Sequence, residues 1–218
     1  MSIGQVFSLG GIVMIPLILL SVLTLALILE RLMFWFRIVG RQPHVAREVL
    51  TVYPRERRKA FEVLKQNLDL PIARVFLSAL RLEQATPDEF RLALETAAQA
   101  ELPTLKRFST VFDTVISVAP LLGLLGTILG LIDAFAALRV GDIGGTDSVN
   151  VTVGISQALV STAAGLIVAI VTLFFANLFR GLYLRQRSLM VDYGGQLELL
   201  HRRHNRPTTL EGSPYATS

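Results

Sequence analysis

The sequence predicts an all-α membrane protein: three transmembrane helices, N-terminus out and C-terminus in, with long helices extending into a helical cytoplasmic domain. Three observations predict it. The chain is 52% hydrophobic and only 17% charged, and its apolar residues fall in long uninterrupted blocks. The basic residues gather on the same sides of those blocks. The polar stretches between them carry helix-start signals.

Residues 1–29 hold no charged side chain, residues 114–132 form a second uncharged run between Asp113 and Asp133, and residues 151–179 form a third. A bilayer takes about 20 apolar residues at 1.5 Å rise each, so the first two runs suffice and the third has length to spare. A cleaved signal peptide opens with positive charge and closes on small residues. Here no Lys or Arg precedes the first run, and Glu30, Arg31 and Arg37 follow it. The first helix is therefore expected to be retained, with Phe34, Trp35 and Phe36 as an interfacial aromatic belt.

Thirteen Lys and Arg lie in residues 37–107 and six from Arg180 onward, whereas residues 140–150 hold none. Basic loops stay in the cytoplasm, which sets the expected division of the chain. Residues 1–36 form the N-terminal periplasmic end and first transmembrane helix, and 37–107 a cytoplasmic helical loop. Residues 108–139 form the second transmembrane helix, 140–150 a periplasmic loop and 151–182 the third transmembrane helix. Residues 183–218 form a cytoplasmic tail with a disordered end, polar from Arg202 and broken by Pro207, Gly212 and Pro214.

In the cytoplasmic loop, Thr86-Pro87-Asp88-Glu89 combines a capping box with proline at the first helical position. It opens a helix expected to run, kinked at Pro103, directly into the second span. The basic cluster at residues 55–59 suits either an exposed helix face or anionic lipid headgroups. The loop mixes thirteen basic with nine acidic residues, unlike a nucleic-acid face, where basic residues cluster with aromatics. Enzyme signatures are missing. The chain has no cysteine for thiol catalysis or thiolate metal sites. His201 and His204 have helical spacing but no third ligand nearby, and GLLGTILG sits in an apolar helix rather than in the strand–turn–helix setting of a phosphate loop. No catalytic residue, metal or cofactor is expected.

The second apolar run, APLLGLLGTILGLIDAF at residues 119–135, contains a proline and three glycines. In a water-exposed helix interior each glycine costs about 1 kcal/mol and proline about 3, so these residues need a purpose. At about 100° per residue, Gly123, Gly126, Thr127, Gly130 and Ala134 share one face, and Leu121, Leu125, Ile128 and Ile132 share the opposite one. In the third run Gly154, Ala158, Ser161, Thr162, Gly165, Ala169, Thr172 and Ala176 form a similar stripe, with Leu159, Ile167, Ile170 and Phe174 turned away. Small faces let helix backbones approach closely in a bilayer. Gly123, Gly126, Gly130, Gly154 and Gly165 are thus the helix-packing candidates, and the stripes serve packing alone or also line a pore.

Depth singles out four residues. Thr127 lies twelve positions before Arg139 and Thr162 twelve after Asn150, so both are expected at one level, about 18 Å from the outer loop. They are the pore-lining candidates. Asp133 and Gln157 lie six and seven positions from the same loop ends. An ionisable residue inside a span is a functional candidate by default, with a hydrated helix end as the alternative. This pair is the candidate for proton entry or partner contact.

These residues carry a resemblance. APLLGLLGTILGLIDAF followed by GISQALVSTAAGLIVAI, with PIARVFLSAL in the cytoplasmic loop, resembles the membrane signatures of the MotA/TolQ/ExbB proton-channel family, closest to its ExbB/TolQ branch. The resemblance implies a homopentamer whose second and third spans line a central pore, with Thr127 and Thr162 at the family's pore threonines. It also implies an ExbD/TolR-like single-span subunit in that pore, bearing the proton-carrying Asp, and a TonB/TolA-like periplasmic protein that receives the work. The implied place is the bacterial cytoplasmic (inner) membrane, multi-pass, with no nucleic acid and no cofactor. One departure is visible: the family typically has glutamate at Gln157 and an uncharged residue at Asp133. The expected function is therefore a proton-channel/stator subunit using the proton motive force to drive a periplasmic partner in outer-membrane transport or envelope maintenance. The alternative is a passive membrane scaffold without ion flux.

Overall fold

The computed structural model describes residues 11–82, 84–139 and 147–204. These form six α-helices and no strand: α1 (Met14–Val52), α2 (Arg57–Gln66), α3 (Pro71–Leu80), α4 (Pro87–Leu105), α5 (Ser109–Arg139) and α6 (Asp147–His204). Two compact units result. The apolar unit is drawn from residues 1–33 and 107–181, the polar unit from 34–106 and 182–218.

In the apolar unit, α1, α5 and α6 supply three stretches long and apolar enough to cross a bilayer. Only 22% to 28% of the residues in their most apolar windows are buried. Leu19, Leu121, Leu159, Ile167 and Phe174 are each more than 60% exposed, a continuous apolar surface that a soluble protein does not present. The inward faces are small or flat: Val115, Ala119 and Ala169 make a core with Leu20 and Val168 against it, and Phe112 packs on Phe179 with ring centroids 5.8 Å apart.

The expected run of α4 straight into α5 does not occur. Pro103 is accommodated inside α4. The helix ends at Leu105, and residues 106–108 form a turn in which Phe108 has φ +68°. A left-handed residue commonly ends a helix, and glycine usually takes that place. Here a phenylalanine holds it, with the Arg31 and Arg107 guanidinium groups 5.2 Å and 4.6 Å from its ring centroid. These cation–π contacts help hold a conformation that a side chain ordinarily disfavours.

The polar unit centres on α3, where every residue except Arg74 and Ser78 is buried. Arg74 turns outward to bind both carboxylate oxygens of Glu101 on α4, at 2.7 Å and 2.5 Å, and donates to the Leu68 carbonyl at 2.7 Å. The bond to Glu101 raises the Arg74 pKa further above its already high value, against the opposing effect of burial. Such two-point charged bonds fix geometry as well as adding energy. Trp35 does not join an outward aromatic belt. It is 2% exposed within the polar unit while Phe36 is 80% exposed, because the buried face of α1 continues through residues 31, 35, 38 and 42 at helical spacing.

The capping box forms as its sequence predicts. The Thr86 hydroxyl accepts from the Glu89 N–H at 3.3 Å, and the Glu89 carboxylate accepts from the Thr86 N–H at 2.8 Å. These bonds hold the Glu89 pKa below its usual value, so they persist at neutral pH and weaken as pH falls through that lowered pKa. Thr86→Ala should cost about 1 kcal/mol, measurable as a lower chemical-denaturation midpoint of the polar unit. An unchanged midpoint would show that packing alone sets the start of α4. The tail expected to be disordered from Arg202 is helical through His204, where α6 ends; residues 205–218 lie outside the described residues, as do residues 140–146 of the expected outer loop.

Candidate functional site

The site is the seam where α5 lies against α6. Helix backbones touch here because neither side carries bulk. A methyl carbon placed on Gly123 would lie 3.0 Å from the Ser161 carbonyl and 3.0 Å from the Thr162 Cα. One on Gly130 would lie 2.9 Å from the Gly154 carbonyl and 3.1 Å from the Ala158 Cβ, and one on Gly154 would meet Ala134 at 2.8 Å. On Gly165 it would sit 2.5 Å from the Ala119 carbonyl. Gly126 differs, since the space beside it is occupied by the Ser161 side chain. The five glycines are thus brought together along one line of contact within a single chain.

Three hydroxyls border this line. Thr162 Oγ1 donates across the seam to the Gly123 carbonyl at 3.0 Å. Buried Ser161 donates to the Ala158 carbonyl at 2.8 Å and lies 3.5 Å from the same Gly123 oxygen. Thr127 Oγ1 donates within its own helix, to the Leu124 carbonyl at 2.6 Å, and is half-buried. Ser161 was legible as a member of the small stripe, but nothing in the sequence marked it as the group that fills the Gly126 notch.

The register corrects the expected depths. Thr162 stands opposite Gly123, and Gly154 opposite Gly130 and Ala134. Counting along antiparallel helices from these contacts, Thr127 is level with Ala158, about one turn or 6 Å from Thr162. Asp133 and Gln157 are likewise offset by more than a turn. Asp133 is exposed, while half-buried Gln157 lays its amide on Gly11 at the start of the first span. Gly11 has φ +66°, a conformation glycine adopts freely, and a side chain there would collide with that amide. Among the described residues no hydrogen bond joins Asp133 to Gln157, and no cluster of His, Cys, Asp and Glu could hold a metal ion.

The loop count misplaced the level because α6 already begins at Asp147, so Arg139 and Asn150 are not equivalent ends. The glycine contacts, rather than the loop, set the register.

Comparison with known proteins places this seam in a family. The profile described as the MotA/TolQ/ExbB proton channel family matches residues 67–191, which span α3, α4, α5 and most of α6. A Synechocystis protein named as a biopolymer transport protein, ExbB-like 3, is 56% identical over 210 residues, covering 96% of this chain and 99% of its own length. A second Synechocystis protein, ExbB-like 1, is 39% identical over 194 residues, with 88% and 76% covered. The Tol-Pal system protein TolQ of Haemophilus influenzae is 35% identical over 133 residues, with 56% of each chain covered. The all-helical fold, its three apolar helices and these matches agree: the chain belongs to the MotA/TolQ/ExbB proton channel family, on its ExbB/TolQ branch, a family of proton-channel energy transducers rather than a class of enzymes.

Proposed function

We propose that this chain is the multi-span subunit of an ExbB/TolQ-type stator in the bacterial cytoplasmic (inner) membrane, converting proton flow into work on a periplasmic partner. In this reading five copies surround a pore, the N-terminus is outside, and residues 37–107 and 183–218 are cytoplasmic. The α5–α6 pair is one stave of the wall. Thr127 and Thr162 face or border the pore, Asp133 and Gln157 serve proton entry or partner contact, and the glycines keep each stave narrow.

One observation carries the proposal. The seam joins hydroxyls to backbone carbonyls, yet residues 114–132 and 151–179 contain no group that titrates near neutral pH. A proton path along this surface needs a carrier from another chain. An ExbD/TolR-like single-span subunit with a membrane aspartate supplies it, and a TonB/TolA-like protein takes up the resulting motion.

The test is proton flux into liposomes. The chain alone should conduct no more than empty vesicles. Together with the single-span subunit it should raise flux at least about tenfold, a barrier difference of roughly 1.4 kcal/mol, and the partner's Asp→Asn variant should abolish the gain. Absence of flux with the partner present would favour a passive scaffold. Flux from this chain by itself would remove the need for an external carrier.

A further inference from the structure

The polar unit carries a groove that its own side chains leave open. It runs between α4 and the last part of α6 and encloses about 590 Å³. Leu92, Leu94, Met190 and Val191 line it, with Glu95 and Glu198 among them. Leu92 and Val191 are 63% and 70% exposed. Two adjacent glycines, Gly194 and Gly195, open the α6 wall, and a methyl carbon on either would meet no atom within 4 Å. Glycine is a poor helix former, and the space these two leave is not used for packing inside the chain.

The chemistry of the groove describes its occupant. An apolar wall beside carboxylates suits a side chain that is apolar along its stem and positive at its tip, as in arginine and lysine. Arg91 also lines the groove, bonding Glu95 at 2.9 Å in a pair that is more than half exposed on both sides, and such pairs hold weakly. The basic residues of α6, Arg185, Arg187, Arg202 and Arg203, do not line it.

This chain presents such side chains on α2. The inner face of α2 buries Ala60 and Leu64, so Arg58, Lys59, Glu62 and Lys65 fall on the outer face at helical spacing. All four are exposed. The Arg58 side chain keeps 95% of its area open, at 3.7 Å from Glu62. Residues 55–66 hold five basic and two acidic residues, whereas α4 holds one basic and four acidic. The two surfaces are opposite in charge.

Their levels match as well. Tyr53 bonds His201 at 2.9 Å, Arg47 bonds Tyr193 at 3.3 Å and Gln42 bonds Gln186 at 2.9 Å. Beyond Tyr53 the chain turns back into α2, and Asn67, just past the end of α2, accepts from Arg41 at 2.8 Å. The helix α2 therefore spans the level of α6 from His201 to Gln186, and Gly194 and Gly195 lie inside that stretch. Cyclic symmetry keeps every element at its own height, so α2 of one copy can meet the groove of the next.

We propose that the outer face of α2 docks in the α4–α6 groove of a second copy of this chain. Arg58 and Lys59 lay their stems on the apolar wall and bring their charges to Glu95 and Glu198. The two patches differ, so the contact is head-to-tail and continues from copy to copy around a ring. It rests on the five-copy reading and names the contact between neighbouring polar units.

The experiment uses the full chain in lipid nanodiscs, with copies counted by native mass spectrometry and cross-linked by oxidation. The chain has no cysteine of its own, so only introduced thiols can pair. Glu62→Cys on α2 and Thr96→Cys on the groove, combined in one chain, should give a ladder of cross-linked species above the dimer. Neither alone should give one. Arg58→Glu with Lys59→Glu should abolish the ladder, and adding Glu95→Lys with Glu198→Lys should bring it back. Gly195→Leu meets open space within the chain, so helix content should hold while the ladder is lost; should helix content fall, the charge exchange decides. Single copies in the nanodisc would overturn both the five-copy reading and this contact. Assembled copies with no ladder, or with a ladder indifferent to charge reversal, would overturn the contact and leave the five-copy reading standing.

Discussion

Replacing Gly165 with leucine is expected to abolish both the pentamer and the proton flux of the proposed stator. The obstruction is backbone on every side: a methyl carbon there meets the Ala119 carbonyl at 2.5 Å, the Gly123 Cα at 3.1 Å and the Gly123 nitrogen at 3.2 Å. No rotamer change can relieve contacts with main-chain atoms, so α5 and α6 must separate. Separation also removes the Thr162 bond to the Gly123 carbonyl. Even Gly165→Ala should destabilise by about 1–3 kcal/mol, the usual range for overpacking. Gly126→Ala should also destabilise, since a methyl carbon there meets the Ser161 Oγ and, at 2.6 Å, the Ser161 Cβ; Ser161→Ala would leave that Cβ in place, whereas adding Ser161→Gly should recover much of the loss. Gel filtration in mild detergent and liposome flux measure both effects. Wild-type size and flux from Gly165→Leu would show that the seam is not closed in the membrane.

The second large effect is expected at Asp133. If this carboxylate gathers protons at the pore mouth or binds the single-span subunit, Asp133→Asn should lower partner-dependent flux about tenfold or more, a loss of roughly 1.4 kcal/mol at the limiting barrier. Asp133→Glu should keep most of it. The seam register changes what Gln157→Glu can do in the Asp133→Asn background. The new carboxylate would lie more than a turn away and beside Gly11 at the first span, so little recovery is expected. Full recovery would show that the assembled pore brings the two positions together after all. Normal flux from Asp133→Asn would reduce Asp133 to a hydrated helix end.

The sequence revealed the parts of this molecule that rest on periodicity. Uncharged runs gave the three apolar helices, Thr86 to Glu89 gave the start of α4, and spacing gave the glycine faces, because each is a repeated or local signal. Register was not legible, since it depends on which backbone atoms touch across the seam. The turn at Phe108 was hidden because neither glycine nor proline marks it, and aromatic–cation contacts hold it instead. The buried polar pairs were hidden for a similar reason. Gln42 donates to Gln186 at 2.9 Å in the core of the polar unit, yet a lone amide in a polar helix looks the same whether it faces water or a partner. His201 was noticed for its spacing to His204 and proved to be a core residue.

The discontinuity of the polar unit has a consequence for biosynthesis. Its first part, residues 34–106, leaves the ribosome early, but its closing segment is the part of α6 from residue 182, made after α5 and the apolar part of α6. Early domains ordinarily fold as they emerge. This one must wait with α1, α3 and α4 in place until the last stretch of chain returns from the membrane. Until residues 182–204 are made, Gln42 and Tyr53 lack the Gln186 and His201 partners that they meet in the finished unit. Closure of the unit therefore requires that the chain has been made through the end of α6.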